Sequence, residues 1–383
     1  MNVKMNILHW PSSYPDASNG QSYHAIFIEE HIKSINNFVK NRVIYISPEP
    51  CKSNRWHEKT TKIENQIKVT RFYFSDSLPL KFLNLYIRLQ LFLFMLKLIF
   101  VEKFKPDIIH VHFFPAGEWA KIYAKMFQCK MVVTEHWTAL IGYPIISSSR
   151  FIKAKQVYEF ADALLPVSHH LLKGILSNTK ADVMLKSTVI HNCVNTDIFK
   201  LDPILTQRIS RYHLVSVARM DEQKDIPTML KAFKLIKSTH DEAKLTIIGG
   251  GDKQPYLKMA EEIGIADAVD LIGIQTKSEI AAMMNKANLF VLSSISENSP
   301  CVIGEAQCCG LPVVATDVGG VKELIIEGAV VPPKSPELLA QKVIEQLNSP
   351  IDRHLLATKA QARFSYDAIG QQIFEVYQNV CVE

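Results

Sequence analysis

Short apolar runs alternate with longer amphipathic stretches along most of the chain. In the first half, the runs occupy residues 5–10, 41–48, 67–74, 106–114, 130–137, 161–168 and 187–194. In the second half, they occupy residues 212–218, 244–250, 268–273, 289–294 and 311–316. Each run has the length of a buried strand, and helix-like sequence such as 23–35 follows most of them. Strands that alternate with helices in this way predict parallel sheets covered by helices.

The chain has 383 residues and two such series of strands and helices. That length favours two domains, and the natural break between the series lies near residue 200. We therefore predict an α/β fold of two Rossmann-like, doubly wound parallel-sheet domains that face each other across a cleft. In open sheets of this kind, ligands bind beyond the carboxyl ends of the strands. The residues directly after each strand are thus the candidates for a functional site.

Composition and cysteine spacing limit the class of protein. Apolar residues make up 48% of the chain and charged residues 21%, as in ordinary globular proteins. The seven cysteines are scattered without a Cys-x-x-Cys pair, which indicates neither a zinc site nor a disulfide framework. The first ten residues run directly into strand-like sequence, so we expect no signal peptide. A cytoplasmic protein is the expectation that fits these features.

The net charge of +5 conceals an asymmetry. Residues 1–200 contain 25 Lys and Arg against 15 Asp and Glu, whereas residues 201–383 contain 18 against 23. Two interpretations stay open for the basic first half: an uneven solvated surface, or contact with an anionic partner such as a phospholipid surface or a phosphorylated acceptor. We expect no nucleic-acid partner.

One apolar segment bears on that choice. Residues 85–101 read LYIRLQLFLFMLKLIFV, and Arg88 and Lys97 interrupt the apolar sequence. The stretch between charges is too short for a helix that spans a membrane. A helix this apolar is either buried in a core or in contact with lipid. We therefore keep two interpretations, a core helix that leads into the next strand and a peripheral membrane contact.

Basic residues and glycines follow two strands of the second half. Arg219 and Lys224 come after the run at 212–218, and three glycines, 249–251, close the run at 244–250. Each cation would contribute roughly 1.5–3 kcal/mol through a charge-assisted hydrogen bond. For Gly250, a simple strand-to-helix turn and the close approach of a phosphate or sugar are both open.

A third strand end supplies the start of a helix. The run LFVLSS at 289–294 leads to Glu297 and then to a Ser-Pro pair. Serine is a preferred N-cap and proline suits the first helical position, and free backbone N–H groups at a helix start suit a phosphate. We interpret this place as a diphosphate receptor. Its helix start is predicted to comprise Ser299, Pro300, Cys301 and Val302.

Two glutamates flank the helix start. Glu305, about one turn into the helix, can accept two hydrogen bonds from a vicinal diol such as that of ribose. Glu297, nearer the strand end, is placed to bind hydroxyl groups on whatever the diphosphate carries. A ribose diol, a diphosphate and a polyol together describe a nucleotide sugar. Two glutamates eight residues apart are a weak signal by themselves, because such pairs are common by chance.

The surrounding motifs resemble those of a known family. Residues 296–325, SENSPCVIGEAQCCGLPVVATDVGGVKELI, are similar to the Glu-x7-Glu signature of the family 4 glycosyltransferases, which have the GT-B fold. Residues 216–233, SVARMDEQKDIPTMLKAF, resemble the family's phosphate-binding segment, with Arg219 and Lys224 in matching places. Further resemblances lie at 189–199, 245–252 and 328–343. The resemblance covers nearly the whole chain, and its motifs occur in the family's order.

The resemblance implies a retaining, metal-independent transferase that moves a hexose-type sugar from a UDP- or GDP-sugar to an acceptor. It implies that Glu305 contacts the ribose, that Glu297 lies against the transferred sugar, and that Arg219 and Lys224 neutralise the diphosphate. The sequence contains no Asp-x-Asp pair, the usual metal-binding signature of other transferases. We therefore expect neither a metal nor a cofactor.

The resemblance also bears on the first half and on the domain bounds. TEHWTAL, residues 134–140, is similar to the family's strand-end histidine motif, which makes His136 the candidate beside the sugar. Gly20, in the loop after the first strand, is the candidate for a close backbone approach to the phosphate. The predicted domains are 1–198 on the acceptor side and 199–364 on the donor side. A C-terminal helix over 365–383 is expected to cross back to the first domain.

Other functions stay open. A nucleotide-sugar epimerase on the same fold would need no acceptor. A dinucleotide-dependent oxidoreductase is suggested by the glycines at 249–251, but Gln254 stands where the last glycine of Gly-x-Gly-x-x-Gly should be. For the transferase, the basic first half favours a lipid-linked or polysaccharide intermediate of envelope or exopolysaccharide synthesis as acceptor. Peripheral attachment to the inner face of the membrane would fit such an acceptor.

Overall fold

The computed structural model describes residues 4–15, 25–51, 56–75, 80–142, 146–206, 212–349 and 351–382. The chain divides into two compact units. The first unit comprises Met1–Val167, Leu171–Ile190 and Ile369–Glu383. The second unit comprises Ser168–His170 and His191–Ala368.

Each unit is built around one sheet. The strands of the first are β1 (Asn6–Pro11), β2 (Lys40–Pro50), β3 (His57–Glu64), β4 (Ile67–Phe74), β5 (Ile108–His112), β6 (Lys130–Glu135) and β7 (Ala163–Pro166). The strands of the second are β8 (His213–Val217), β9 (Lys244–Ile248), β10 (Val269–Ile272), β11 (Leu289–Leu292), β12 (Val313–Thr316) and β13 (Gly328–Val331).

Helices connect most of these strands. They are α1 (Ile26–Ser34), α2 (Leu80–Leu96), α3 (Phe114–Phe127), α4 (Ser148–Phe160), α5 (His169–Thr179), α6 (Pro203–Thr206), α7 (Ile226–Thr239), α8 (Gln254–Glu262), α9 (Lys277–Lys286), α10 (Cys301–Cys308), α11 (Val321–Leu324), α12 (Pro336–Asn348), α13 (Arg353–Phe364) and α14 (Tyr366–Val382). Apolar helix faces cover the sheets, and the central strands are buried along almost their whole length. This explains why those strands read as continuous apolar runs in the sequence.

The two sheets share one topology. The second sheet has the strand order β10-β9-β8-β11-β12-β13, and every pairing in it is parallel. The first has the order β3-β4-β2-β1-β5-β6-β7, in which only β3 pairs in the antiparallel sense. Without β3, each order is that of a doubly wound sheet whose strand succession reverses beside its first strand. The predicted class of two parallel-sheet α/β domains is confirmed.

Three elements differ from the sequence prediction. The apolar run at 187–194 is not a strand but an extended segment with isolated bridges, such as Val194 to Ser365. Strand β3 was not predicted, because its sequence HEKTTKIE is polar and mostly exposed at the sheet edge. Strand β13, the four-residue sequence GAVV, was likewise missed, because it is only partly buried.

The unit boundaries lie close to, but not at, the predicted domain bounds. The second unit begins at His191 rather than at 199, and the last residues assigned to the first unit begin at Ile369 rather than at 365. The reason at the first boundary is local, since Val194 donates its backbone N–H to Phe364 and packs in the core of the second unit. Near the C-terminus, the Tyr377 hydroxyl contacts His110 within the first unit.

Three histidines form a buried network in the first sheet. His9 on β1 lies with its Nδ1 3.2 Å from Nε2 of His112 on β5, and its Nε2 is 3.0 Å from Asn41 Oδ1. His110 contacts Thr134 at 2.7 Å through Nε2 and Tyr377 through Nδ1. Hydrogen bonding between buried side chains of neighbouring strands accounts for most of these contacts. The three rings also place one nitrogen each within 4.8 Å of the others.

Burial makes these histidines sensitive to pH. Desolvation lowers the pKa of His9 to about 4, and it lowers the pKa values of His110 and His112 well below 6.5. Because the unfolded chain takes up protons near pH 6.5 and the folded unit does not, the folded state is favoured above that pH. The stabilisation is lost as the pH falls from 6.5 towards 4.

We predict that the first unit loses up to about 1.4 kcal/mol of unfolding free energy per histidine for each pH unit below 6.5. All four tryptophans lie in this unit, so intrinsic tryptophan fluorescence reports its unfolding selectively. Urea denaturation followed at pH 7.5, 6.5 and 5.5 should show the falling midpoint. His112→Gln should flatten the dependence, and His170→Gln, at an exposed position that belongs to the second unit, should leave it unchanged. Equal midpoints at all three pH values would contradict the account.

Candidate active site

The strand order places two loops of the second unit next to each other. The chain passes from β8 to β9 on one side, while β11 pairs with β8 on the other side. The loops after β8 and after β11 therefore lie at the carboxyl end of the sheet where the strand order reverses, the place at which doubly wound sheets bind their ligands. Residues 218–225 form the first loop and residues 293–300 the second.

A buried ion pair joins these loops. Lys224 Nζ lies 2.5 Å from Glu297 Oε1, and the two side chains are only 16% and 7% exposed. Ser294 Oγ donates to the same carboxylate oxygen at 2.7 Å. A pair so shielded from water is held firmly, because removing either partner leaves the other charge buried without compensation. The predicted site residues Lys224 and Glu297 are thus brought into direct contact.

Backbone contacts fix the two loops in register. Gln223 Nε2 donates to the Ser296 carbonyl at 2.7 Å, and Ile295 N–H donates to the Gln223 carbonyl at 2.8 Å. Ser293 Oγ donates to the Lys224 carbonyl at 2.8 Å. The lysine is therefore positioned by its backbone as well as by its ammonium group.

Arg219 stands on the same loop in a different environment. Its Nη2 lies 2.6 Å from Asp221 Oδ2, and its side chain is 71% exposed. Asp221 also accepts a hydrogen bond from the backbone N–H of Lys224 at 3.3 Å. An exposed cation held by one carboxylate can turn towards an anionic ligand at little cost, because such ion pairs contribute only about 0–1 kcal/mol.

The helix after the second loop begins one residue later than predicted. Pro300, not Ser299, is the N-cap of α10, and its φ and ψ of −67° and 114° are extended. Ser299 lies outside the helix because its carbonyl accepts a hydrogen bond from Asn192 Nδ2 at 2.8 Å. Ser299 Oγ is buried and has no hydrogen-bond partner within the described residues. Within the described residues, the N-cap side chain of α10 makes no hydrogen bond to the first turn of the helix. The helix itself begins with Cys301 and Val302.

Glu305 lies about one turn further along α10. It is half-buried, on the helix that begins four residues after Glu297. Glu305 therefore lies on α10, whereas Glu297 lies on the loop that precedes this helix. Its role as the ribose partner stays a prediction.

Gly319 and Gly320 pack against the backbone of the loop that carries Glu297. A Cβ atom at Gly319 would lie 1.8 Å from the carbonyl oxygen of Glu297, and one at Gly320 would lie 2.3 Å from that of Asn298. Gly319 also has a φ of 58°, in the left-handed region. Gly320 N–H donates to the Asn298 carbonyl at 3.0 Å. The sequence signal for this close approach is the pair of glycines in the Asp-Val-Gly-Gly that follows β12.

The glycine run after β9 packs against the Lys224 loop. A Cβ atom at Gly249 would lie 2.0 Å from the Ala218 carbonyl oxygen, and one at Gly251 would lie 2.7 Å from that of Met220. Gly250 is less restricted, since its Cβ would meet only the side chain of Ile274 at 3.2 Å. The steric demand for glycine therefore falls on 249 and 251, and donor binding by Gly250 stays a prediction.

In the first unit, His136 directly follows β6. It is 8% exposed, and its ring lies 4.7 Å from that of Phe27, 5.3 Å from that of His31 and 6.1 Å from that of His112, between centroids. The ring stands at the carboxyl end of its sheet, where the sequence placed it. Gly20 lies outside the described residues.

Glu135 organises the loop that carries His136 and was not predicted from the sequence. Its carboxylate accepts hydrogen bonds from the backbone N–H groups of Phe114, His136 and Trp137, each at 3.0 Å, and from Tyr158 Oη at 2.7 Å. Desolvation raises the pKa of this buried carboxyl, and the four donors act against that rise. The only sequence signal for this role of Glu135 is its position, directly before His136 at the end of a predicted strand.

Family models match both halves of the chain. The model described as Glycosyltransferase Family 4 matches residues 43–198, and the model described as Glycosyl transferases group 1 matches residues 200–363. Together they cover most of the sequence. The chain belongs to the family 4 glycosyltransferases, and its two Rossmann-like domains are those of the GT-B fold.

Known proteins resemble the chain over most of its length. TuaC of Bacillus subtilis, a glycosyltransferase assigned to teichuronic acid biosynthesis, is 29% identical over 72% of this chain and 71% of its own. The amylovoran biosynthesis glycosyltransferase AmsK of Erwinia amylovora is 28% identical over 73% of this chain and 72% of its own. The structure of Anabaena Alr3699/HepE in complex with UDP has a TM-score of 0.74 at 17% identity, over 98% of this chain and 100% of that one.

The contact between Gly319 and Glu297 yields a stability prediction. We expect Gly319→Ala to lower the unfolding free energy of the second unit by roughly 2 kcal/mol more than Gly264→Ala does, because only Gly319 would force backbone atoms apart. Gly264 is the matched control, with a φ of 75° and no atom within 4 Å of its Cβ position. Hydrogen exchange of the β11 and β12 amides measures the difference. Equal losses of protection in both variants would show that the turn does not support the Glu297 loop.

Proposed function

We propose that this protein is a retaining, metal-independent glycosyltransferase that uses a UDP- or GDP-hexose as donor. The diphosphate would bind in the crevice at the reversal of strand order in the second unit. The observation that carries the proposal is the buried Lys224–Glu297 pair, which lies where doubly wound sheets bind their ligands. The UDP in the HepE structure, on the same fold, supports a nucleoside diphosphate as the ligand.

Three groups are suited to the negative charge of the diphosphate. Lys224 supplies an ammonium group at the floor of the crevice, and Arg219 supplies an exposed guanidinium on the same loop. The start of α10 offers backbone N–H groups and the positive end of the helix dipole. The buried Ser299 hydroxyl, unpaired within the described residues, would gain a phosphate oxygen as acceptor.

These same groups would stabilise the leaving nucleotide. As the glycosidic bond breaks, negative charge grows on the diphosphate, and preorganised cations lower the barrier because they need no reorganisation. Glu297 holds Lys224 in place before the donor arrives and, in our proposal, receives hydroxyl groups of the hexose. Glu305 would bind the ribose diol, and His136 would orient a hydroxyl group near the anomeric carbon.

For the acceptor, we propose a lipid-linked or polysaccharide intermediate of envelope or exopolysaccharide synthesis, on the cytoplasmic face of a membrane. The basic first half of the chain supports an anionic acceptor or surface. The names of TuaC and AmsK, both assigned to the biosynthesis of polysaccharides, point in the same direction.

Lys224 is the sharpest test of the donor site. We expect Lys224→Gln to lower kcat by about 10²–10³-fold, the loss that follows removal of one transition-state stabiliser. The double variant Lys224→Gln/Glu297→Gln removes both charges, which avoids an uncompensated buried carboxylate, and it should remain folded but equally slow. Release of the nucleoside diphosphate from UDP- and GDP-hexoses in the presence of acceptor extracts measures the rate.

A second Lys–Glu pair of the same unit serves as the control. Lys258 and Glu262 lie 3.8 Å apart on α8, with side chains 78% and 62% exposed. The variant Lys258→Gln/Glu262→Gln should transfer sugar at the normal rate. Near-normal transfer by the Lys224 variants, with folding verified by circular dichroism, would dispose of the proposed site.

Glu305 should act on donor affinity. We predict that Glu305→Ala weakens nucleotide-sugar binding by at least tenfold, because two hydrogen bonds to a diol are lost. Glu261→Ala, an exposed change on α8, is the control. Thermal shifts with a panel of UDP-, GDP- and ADP-sugars measure binding by mass action and identify the nucleobase at the same time. A normal shift in the Glu305 variant would exclude the assignment.

The epimerase alternative is separated by its products. Incubation with the nucleotide sugar alone would yield an epimerised nucleotide sugar from an epimerase, whereas a transferase would give only slow hydrolysis. Transfer with retention would be read from the anomeric configuration of the product by NMR.

A further inference from the structure

Helix α2 and the wider helical turn that continues it at Lys97–Val101 have one face in the core of the first unit. Leu91, Met95 and Leu98 on this face are fully buried, and Phe94 is 8% exposed. The positions recur every three or four residues, as one face of a helix requires. The helix is therefore anchored along its length to the unit that carries it.

The opposite face is apolar and open to solvent. Phe82, Leu85, Leu89 and Leu93 are exposed by 67%, 68%, 50% and 49%, and Phe100 is exposed by 65%. Their spacing of three, four, four and seven residues places them on a single stripe. Only 22% of the most apolar part of Phe82–Val101 is buried, so the helix contributes one face to the core and leaves the other face outside it. An apolar stripe of this length is uncommon on a free protein surface.

The charges around the stripe are mainly basic. Residues 77–101 contain no Asp or Glu, and Arg88 and Lys97 are exposed at opposite borders of the stripe. The carboxylate of Glu102, which follows the segment, is paired with Arg42 at 2.5 Å, with Lys68 at 2.6 Å and with Lys97 at 3.9 Å, so that three cations surround one carboxylate. The surface is thus complementary to an anionic one.

The neighbouring edge strand extends the same surface. Trp56, just before β3, is 59% exposed and packs edge-on against Tyr86 of α2, with ring centroids 5.8 Å apart. Lys59 of β3 is exposed and lies 5.8 Å from the ring centre of Phe94. An exposed tryptophan beside lysines is typical of the interface between lipid and water.

We infer that this stripe lies in the headgroup region of an anionic lipid bilayer, with the helix axis parallel to the membrane plane. Length and composition alone would let Phe82–Val101 cross a membrane, but its buried face is committed to the core of the first unit. An amphipathic helix with basic borders binds at the interface through apolar burial and through attraction to acidic lipids. The inference extends the proposed function, because a lipid-linked acceptor would lie in the same membrane. Its evidence is the exposed face of α2 and not the donor site.

Vesicle flotation tests the inference with the full chain. We expect cosedimentation or flotation with vesicles of roughly 70% phosphatidylcholine and 30% phosphatidylglycerol at low salt, and weak binding to phosphatidylcholine alone, because each basic residue near an anionic surface adds attraction. Leu85→Glu/Leu89→Glu should reduce the partition coefficient by about tenfold or more. Tryptophan emission should shift to the blue on binding, and Trp56→Phe should remove most of the shift, since the other tryptophans are buried or half-buried.

The matched control is a pair of exposed leucines on the second unit. Leu235→Glu/Leu355→Glu changes side chains that are 41% and 50% exposed, and it should leave vesicle binding unchanged. Equal loss of binding in both pairs, or no binding of the natural chain, would overturn the inference. So would a dimer that dissociates in Leu85→Glu/Leu89→Glu without any lipid binding, because the stripe would then pair two copies. Thermal shifts with nucleotide sugars, measured on both pairs of leucine variants, report donor binding separately. Normal shifts in a variant that no longer binds vesicles would show that its donor site is intact.

Discussion

The Lys224–Glu297 ion pair is the interaction on which the candidate site depends. It joins the loops that follow β8 and β11, and because both side chains are largely buried, loss of either partner would leave the other charge poorly compensated. Close backbone packing also supports it, because a side chain at Gly319 would overlap the carbonyl oxygen of Glu297. The site is therefore a product of topology first, because only the reversal of strand order beside β8 brings these two loops together.

Much of this could be predicted from the sequence because buried parallel strands are apolar throughout. Runs such as 289–294 and 311–316 contain β11 and β12 for that reason. Strand β3 was not predicted because its sequence is polar, with charged residues exposed at the sheet edge. The run at 187–194 is apolar because it packs between elements, and apolar sequence alone does not distinguish a strand from an extended connector.

Lys224 and Glu297 were candidates because charged residues follow two strand ends, and the structure brings the two side chains into contact, while their role in binding stays a prediction. The N-cap was wrong at Ser299 because a distant residue, Asn192, takes up its carbonyl. Glu135 was missed because its four donors come from three separate parts of the chain. Long-range hydrogen bonds of this kind leave no local pattern. The sequence likewise left open whether α2 is buried or exposed, because it does not show which face of the helix packs against the rest of the unit.

The central claim, that the reversal point of the second sheet holds the diphosphate of a nucleotide sugar, is tested most directly by a crystal structure with bound UDP or GDP. We expect phosphate oxygens within hydrogen-bond distance of Lys224 Nζ and of the backbone N–H groups that open α10. A nucleotide bound elsewhere, with Lys224 still paired to Glu297 and the start of α10 solvated, would contradict it.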